Sequence, residues 1–417
     1  MENKLSSVAK TFTPSPIQEL SQLAQRCNAI NLAEGVPDFP APTHVKEAAV
    51  SAINSDFNQY RHVQGICEHL AKNTKEMHGF DVDPKTDIAI CCGQTEAFAA
   101  AVFAVVEPGD EVLLFDPSYE TYEASIRIAG GIPVSFWLSI SICGTEASLL
   151  DSGFREIHGV FYWQNKSCDI KQWNSPHNPT GKVFTKDELE IIAGACCRRD
   201  CLAITDEVYE HITYDNRKHI SLASLPGMQK RTIITSSLSK TYSVTGWRIG
   251  WAIAPAFFAS AIRNIHIRLT DSAPAPFQEA ALSALRSPPE YYESLRRDYE
   301  SKRDYIVKFL AETGFQIQFK PQGSFFLFAE LPKHSSLSDV EYVKEIIEQA
   351  GVVAVPGCGF FHSNLSVERS CEISCNYRKR YIRFAFCKSS STLAAAAENL
   401  GKLQMLQGVP GHVDSRS

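Results

Sequence analysis

The sequence predicts an α/β protein, with a doubly wound, mostly parallel sheet in a large domain and a smaller α+β layer after it. Three observations carry that reading. From Asp87 to Trp251, apolar runs of strand length alternate with stretches of helix length, the order that a parallel sheet with crossover helices requires. The residues able to do chemistry gather just past the ends of those runs, where open parallel sheets place their ligands. The chain has 417 residues, more than one usual hydrophobic core, so two domains are the default. The expected division is an N-terminal arm over 1–44, a large domain over 45–294 and a small C-terminal domain over 295–417.

Composition removes several function classes. An apolar share of 44% with 21% charged residues is that of a globular chain. The net charge of −6 leaves no electrostatic footprint for nucleic acid or an anionic membrane, so neither partner is expected. No apolar run reaches the length of a membrane span. The start, Met1-Glu-Asn-Lys-Leu-Ser, lacks an apolar signal core and the arginines of an organellar presequence, so the expected compartment is the cytoplasm. Thirteen cysteines occur, but pairs such as Cys91-Cys92 and Cys196-Cys197 do not have zinc-ligand spacing, and no metal site is expected.

Taken in order, Pro16 to Cys27 has helical spacing, with Ile17, Leu20, Leu23 and Cys27 on one face. Ile30 to Phe39 reads as a short strand and a turn, in which Gly35 permits close backbone approach to a ligand or simply turns the chain. His44 to Ile53 is a helix. Asp87 to Cys91 is a short buried strand, and Cys92-Gly93-Gln94-Thr95-Glu96 opens a helix from Ala97 to Val106. Strand, glycine turn and helix start together make an anion site, because free amides and the helix dipole point the same way. Glu111 to Phe115 is the next strand, leaving through Asp116-Pro-Ser-Tyr119-Glu-Thr-Tyr122, so that an aromatic past its carboxyl end can stack on a flat ring.

Between residues 135 and 173 the pattern lapses. Phe136 to Cys143 is apolar, but Phe154 to Trp173 mixes charges, aromatics and amides without period, and Cys168-Asp-Ile-Lys-Gln-Trp173 occupies the place of a buried strand. Divergence would produce this, and so would a local reading-frame or splice-site fault in the gene. Asp169 and Lys171 are expected to pack poorly there, since a strand covered on both faces is ordinarily a continuous apolar run. The pattern resumes at Asn174-Ser-Pro-His-Asn178-Pro-Thr-Gly181, then an amphipathic helix from Lys186 to Asp200. Cys201 to Tyr209 is a strand ending on Asp206, which either caps a helix or faces a ligand.

Arg231 to Thr235 leads into Ser236-Ser-Leu-Ser-Lys240-Thr-Tyr-Ser-Val-Thr-Gly-Trp-Arg248-Ile-Gly-Trp251. Lys240 and Arg248 could be plain surface charges. A lysine delivered from the end of a buried strand, however, has a lowered pKa and an amine able to attack an aldehyde. Ser237, Ser239 and Arg248 are groups that hold a phosphate monoester. The combination suggests a lysine imine with pyridoxal phosphate. A helix from Pro289 to Thr313 carries Leu295, Tyr299, Ile306 and Leu310 on one stripe, and the domain boundary is placed inside it. Beyond come a strand at 324–329, a helix at 340–350, a run at 352–357 and a last strand at 381–386. Arg383 faces inward there, which ordinarily demands a carboxylate. From Lys402 the chain is expected to form a mobile tail.

The segment S-x-S-K-T-x-x-x-T-G-W-R-I-G-W resembles the lysine segment of the pyridoxal-phosphate-dependent class I/II aminotransferases, nearest the kynurenine/glutamine and methionine branches. The resemblance covers roughly residues 15 to 400 apart from the lapse, and it implies the aspartate aminotransferase-like fold. It implies roles residue by residue. Lys240 binds the cofactor and moves the proton, while Gly93, Gln94, Thr95, Ser237 and Arg248 hold its phosphate. Tyr119, chosen over Tyr122, stacks on the ring; Asp206 faces the ring nitrogen, and Asn178 and Tyr209 share the phenolic oxygen. Gly35, Asn178 and Arg383 take the substrate carboxylate. Tyr60, in Asn58-Gln-Tyr60-Arg-His-Val-Gln-Gly65, reaches a neighbouring subunit's phosphate, which implies a homodimer. The activity implied is transfer of an amino group from an aromatic, kynurenine, glutamine or methionine-like L-amino acid to a 2-oxo acid. Two other outcomes on this fold are β-elimination from cysteine S-conjugates and an inactive chain disabled by the 135–173 lapse.

Overall fold

In the computed structural model, residues 4–11, 16–137, 170–361 and 378–406 are described. Their strands are β1 (Ile30–Asn31), β2 (Ile88–Cys91), β3 (Glu111–Asp116), β4 (Ile132–Trp137), β5 (Ile170–Asn174) and β6 (Leu202–Asp206). Then follow β7 (Thr232–Ser237), β8 (Gly250–Ile253), β9 (Phe326–Glu330), β10 (Val352–Val353), β11 (Val355–Pro356) and β12 (Tyr381–Ala385). Seven of them form the central sheet in the order β2-β8-β7-β6-β5-β3-β4. All its neighbours run parallel except β8, which is antiparallel to both β2 and β7. The doubly wound, mostly parallel sheet is thus present. A three-stranded antiparallel sheet, β11-β12-β9, and the parallel pair β1-β10 form the smaller layer.

Local chemistry sets the helix boundaries. Helix Lys186–Arg199 starts with a capping box, the Thr185 hydroxyl accepting from Glu188 N while the Glu188 carboxylate accepts from Thr185 N. Helix Asp339–Ala350 uses Ser338 and Glu341 in the same way. Pro289 opens the long helix Pro289–Glu312, where its missing N–H is not needed. Leu295, Tyr299, Ile306 and Leu310 form the buried stripe of that helix, as the spacing predicts.

Two findings differ from expectation. The C-terminal tail does not begin at Lys402: helix Ser390–Leu406 runs through it, because Leu393, Ala396 and Leu400 at helical spacing bury one face. The helix after β2 starts at Gln94 rather than Ala97, which puts its first turn at the glycine itself. In the lapse, β5 occupies its place between β3 and β6, and Lys171 and Gln172 are both buried within it. Cys168 and Asp169, with everything from 138 to 169, lie outside the described residues.

One buried cation is structural. Arg303, within helix Pro289–Glu312, donates from Nη1 and Nη2 to both Asp215 oxygens at 2.6 and 3.0 Å. It donates from Nε to Asp304 at 2.9 Å and from Nη1 to the Pro321 carbonyl at 3.1 Å. Its guanidinium also lies 4.8 Å over the Tyr214 ring. Removing a buried partner of this kind costs about 3–5 kcal/mol. Asp215 and Asp304 are half-exposed and regain water, so Arg303→Ala is expected at the low end, about 3 kcal/mol in urea unfolding. A loss below about 1 kcal/mol would class it with surface pairs instead.

Candidate active site

Strand register brings the candidate residues to one edge of the central sheet. Asn174 at the end of β5 pairs with Asp206 at the end of β6, and Asp206 pairs with Thr235 near the end of β7. Further along, Ser237 pairs with Gly250, and Gly250 with Cys91 at the end of β2. Carboxyl ends of β2, β5, β6 and β7 therefore meet on one side, with the turn after each of them facing a common space.

On one flank of that edge lies the turn Cys91–Gln94. Gly93 is in a left-handed conformation, φ +82°, and a Cβ there would lie 2.4 Å from Arg248 Nη2. A Cβ on Gly250 would lie 2.4 Å from the Gly93 carbonyl carbon, so both positions require glycine for close packing. Arg248 lies against Gly93 and donates to the carbonyls of Thr245 and Cys92 at 3.0 and 3.3 Å; no described carboxylate pairs with it. Helix Gln94–Val105 begins here without a side-chain cap, so its first amides remain available. Gln94 is tied back to Thr235 Oγ1 at 3.3 Å, Ser237 Oγ accepts from Ser239 N, and Thr95 is exposed. Free amides, hydroxyls and a guanidinium form a donor-rich cradle that fits a phosphate.

At the centre, Lys240 Nζ donates to the Gly35 carbonyl at 3.0 Å and lies 5.7 Å from the Phe325 ring centroid. Burial pushes its pKa down to about 8, helped by the positive charges of Arg383 and Arg248. Asp206 is buried, and burial raises its carboxyl to about 6 against the hydrogen bonds it accepts. The Tyr122 hydroxyl donates to its Oδ2 at 2.6 Å and Val208 N to its Oδ1 at 3.1 Å. Asn174 Nδ2 donates to the Asp206 carbonyl, and Asn174 Oδ1 accepts from Asn178 N, which fixes the loop carrying Asn178 to this strand.

The other flank belongs to β12. Arg383 donates from Nη1 to Asn178 Oδ1 and from Nη2 to the Ala33 carbonyl, each at 2.9 Å. It sits between the faces of Phe326 and Phe360, at 4.1 and 4.6 Å. Its Nε has no hydrogen-bond partner, and none of the described ion pairs involves it. Burial lowers its pKa to about 10. A buried guanidinium with an orphaned donor and no carboxylate is a site prepared for an external carboxylate.

The structure therefore brings Gly35, Gly93, Gln94, Asn178, Asp206, Ser237, Lys240, Arg248 and Arg383 to one edge. Tyr209 is buried beside Phe325, edge-on at 5.1 Å. Partly buried Tyr119 lies edge-on to Tyr122 at 5.8 Å. Tyr60 stays apart: it is 79% exposed and outside this cluster within one chain. The Gly35 atom engaged by the protein is its carbonyl, through Lys240, not its amide. Sequence reasoning gave Tyr122 no role. It is the third residue of helix Glu120–Ile128, which follows the turn after β3, and the packing of that helix against β3 and β4 brings its hydroxyl to Asp206.

The Lys240 environment predicts a pH dependence. In the folded state its pKa is about 8, below the ordinary 10.5. Between those values the unfolded chain holds a proton that the folded chain does not, so the Lys240 contribution to stability rises with pH across the window. For cofactor-free protein, the unfolding free energy of the parent relative to Lys240→Met is expected to increase from pH 8 to 10.5. A flat difference would contradict a buried amine.

The profile of the family Aminotransferase class I and II matches residues 28–399. The chain is 34% identical over 405 residues to the methionine aminotransferase of Escherichia coli K12, covering 96% of this chain and 98% of the relative. It is 33% identical over 417 residues to human kynurenine–oxoglutarate transaminase 1, covering 93% and 95%. Among solved structures, N-succinyldiaminopimelate aminotransferase from Mycobacterium tuberculosis superposes with a TM-score of 0.85 at 33% identity, covering 96% of this chain and all of that one.

Proposed function

This chain belongs to the class I and II aminotransferases, and we propose that within the family it takes amino groups from L-amino acids with aromatic or thioether side chains. Its cofactor is pyridoxal 5′-phosphate, and its substrates are amino acids and 2-oxo acids. The observation that carries the finer reading is the setting of Arg383, a partner-seeking guanidinium held between Phe326 and Phe360 near Phe325 and Tyr209. Such walls favour an apolar or aromatic side chain beside the anchored carboxylate. The methionine and kynurenine relatives agree with that preference.

The surroundings of these residues support the roles that the family resemblance implies. The turn amides from Gly93 to Thr95, with Ser237 and Arg248, would hold the cofactor phosphate. Asp206, ionised above about pH 6 and oriented by Tyr122, would keep a proton on the ring nitrogen. Bound there, the cofactor supplies an electron-withdrawing ring that accepts charge when the substrate's α-proton leaves. Asn178 and Tyr209 would bind the phenolic oxygen, and Tyr119 would pack on the ring face. Lys240 would hold the cofactor and would serve as the amine that moves the proton at the α-carbon; a pKa near 8 suits an amine for that transfer. Arg383 and Asn178, with the backbone at Gly35, orient the carboxylate, and Phe325 and Phe326 exclude water beside Lys240. The exposed Tyr60 supports a homodimer in which this tyrosine serves the neighbouring subunit.

Two measurements test this reading. In a donor panel with 2-oxoglutarate as acceptor, methionine, kynurenine and phenylalanine are expected to exceed aspartate in kcat/KM by about tenfold or more. Preference for aspartate or N-succinyldiaminopimelate would overturn the donor assignment. Arg383→Ala is expected to weaken all donors by about 2–5 kcal/mol while leaving cofactor absorbance unchanged. Equal donor affinities in variant and parent would remove Arg383 from the site.

A further inference from the structure

A second polar cluster lies against the face of the central sheet that carries Ile234 and Ser236. By strand alternation, Ser236 points away from the face that Ser237 shares with Thr235. A cavity there is lined by Thr74 and His78 of helix Gln64–His78, by Glu207 and Glu210 in the turn after β6, and by Ile234, Ser236 and the end of β7 at Ser237. The ligand-capable atoms of His78, Glu207 and Glu210 all lie within 4.8 Å of one another. A divalent ion with ligands near 2.1 Å needs only a small inward movement to bridge such a set.

The protein's own contacts leave this cluster incomplete. Glu207 is well bound: Thr205 and Ser221 donate to its Oε1 at 2.9 Å and His219 Nε2 to its Oε2 at 2.7 Å. Glu210 is not. It meets only imidazole nitrogens among the described ion-pair partners, His78 Nε2 at 3.4 Å and His211 Nε2 at 3.9 Å, although its side chain is largely buried. Ser236 is an independent sign: it is 2% exposed, lines the same cavity, and its Oγ has no hydrogen-bond partner. A buried orphan hydroxyl beside two carboxylates and an imidazole is what a bound ion or its water would satisfy.

We propose that His78, Glu207 and Glu210 form a divalent-cation site, with the Ser236 hydroxyl bonding a water that the ion retains. One imidazole and two carboxylates form an N/O set suited to Mn2+ and similar first-row ions. The site lies one residue beyond Asp206, so the ion fixes the turn Glu207–Glu210 behind the residue assigned to the ring nitrogen. A second cluster, Cys91, Glu96 and His266, has no orphaned side-chain atom of its own: His266 is bonded to Glu96, which also accepts from Thr270 and Cys92 N.

Mn2+ is the probe, since exposed thiols at Cys27 and Cys197 would compete for Zn2+. Chelator-treated holoenzyme is titrated with MnCl2 and free Mn2+ is read by electron paramagnetic resonance. One saturable site per chain is expected, weakened at least about tenfold in both His78→Leu and Glu210→Gln, with cofactor absorbance retained. Crystals of the parent grown with MnCl2 should show an anomalous peak between His78 Nε2 and the two carboxylates, which decides the matter even if a variant misfolds. Absence of saturable uptake, undiminished uptake in both variants, or a peak only elsewhere overturns the proposal.

Discussion

The site depends on strand register more than on any single contact. Asn174, Asp206 and Thr235 are lateral neighbours across β5, β6 and β7, and Ser237, Gly250 and Cys91 across β7, β8 and β2. Because side chains alternate along a strand, a slip of one residue in any pair would turn Asp206 or Ser237 to the opposite face. The glycines enforce the tightest part of this arrangement. Gly93 and Gly250 allow their backbones to meet with Arg248 packed against them, and a single methyl at either position collides.

Within that frame the charges are held apart from their usual solvation. Lys240 is pulled down to about 8, Arg383 down to about 10, and Asp206 pushed up to about 6, burial being the largest cause in each case. The three groups lie close enough to influence one another but do not pair off. Arg383 is bound by an amide oxygen and a carbonyl instead of a carboxylate. A fold that leaves a buried lysine, arginine and aspartate mutually unpaired stores destabilisation that a bound anionic cofactor and an amino-acid substrate would relieve.

Much of this was legible in the chain because the chemistry sits in short, contiguous segments. The turn after β2, the loop from Asn174 to Gly181, the end of β6 and the stretch from Ser237 to Arg248 each join a strand end to its functional side chain. What was not legible depends on distant elements meeting. Tyr122 becomes Asp206's donor only through the packing of helix Glu120–Ile128 on the sheet, and the aromatic contacts around Arg383 join β9 to a turn after β11. Helices Ala275–Leu285 and Ser390–Leu406 carry alanine-rich faces whose apolar period is weak, and the second of them overlaps the expected tail. In β5, Lys171 and Gln172 hide a buried strand from any rule that expects continuous apolar residues, yet the strand forms in register with both neighbours.

The central claim is that Lys240 is the amine which carries the cofactor. Borohydride reduction of the purified holoenzyme, followed by peptide mass mapping, tests it directly. One pyridoxyl-modified peptide per chain is expected, bearing the modification at Lys240. Modification at another lysine, or no fixed cofactor after reduction, would contradict it.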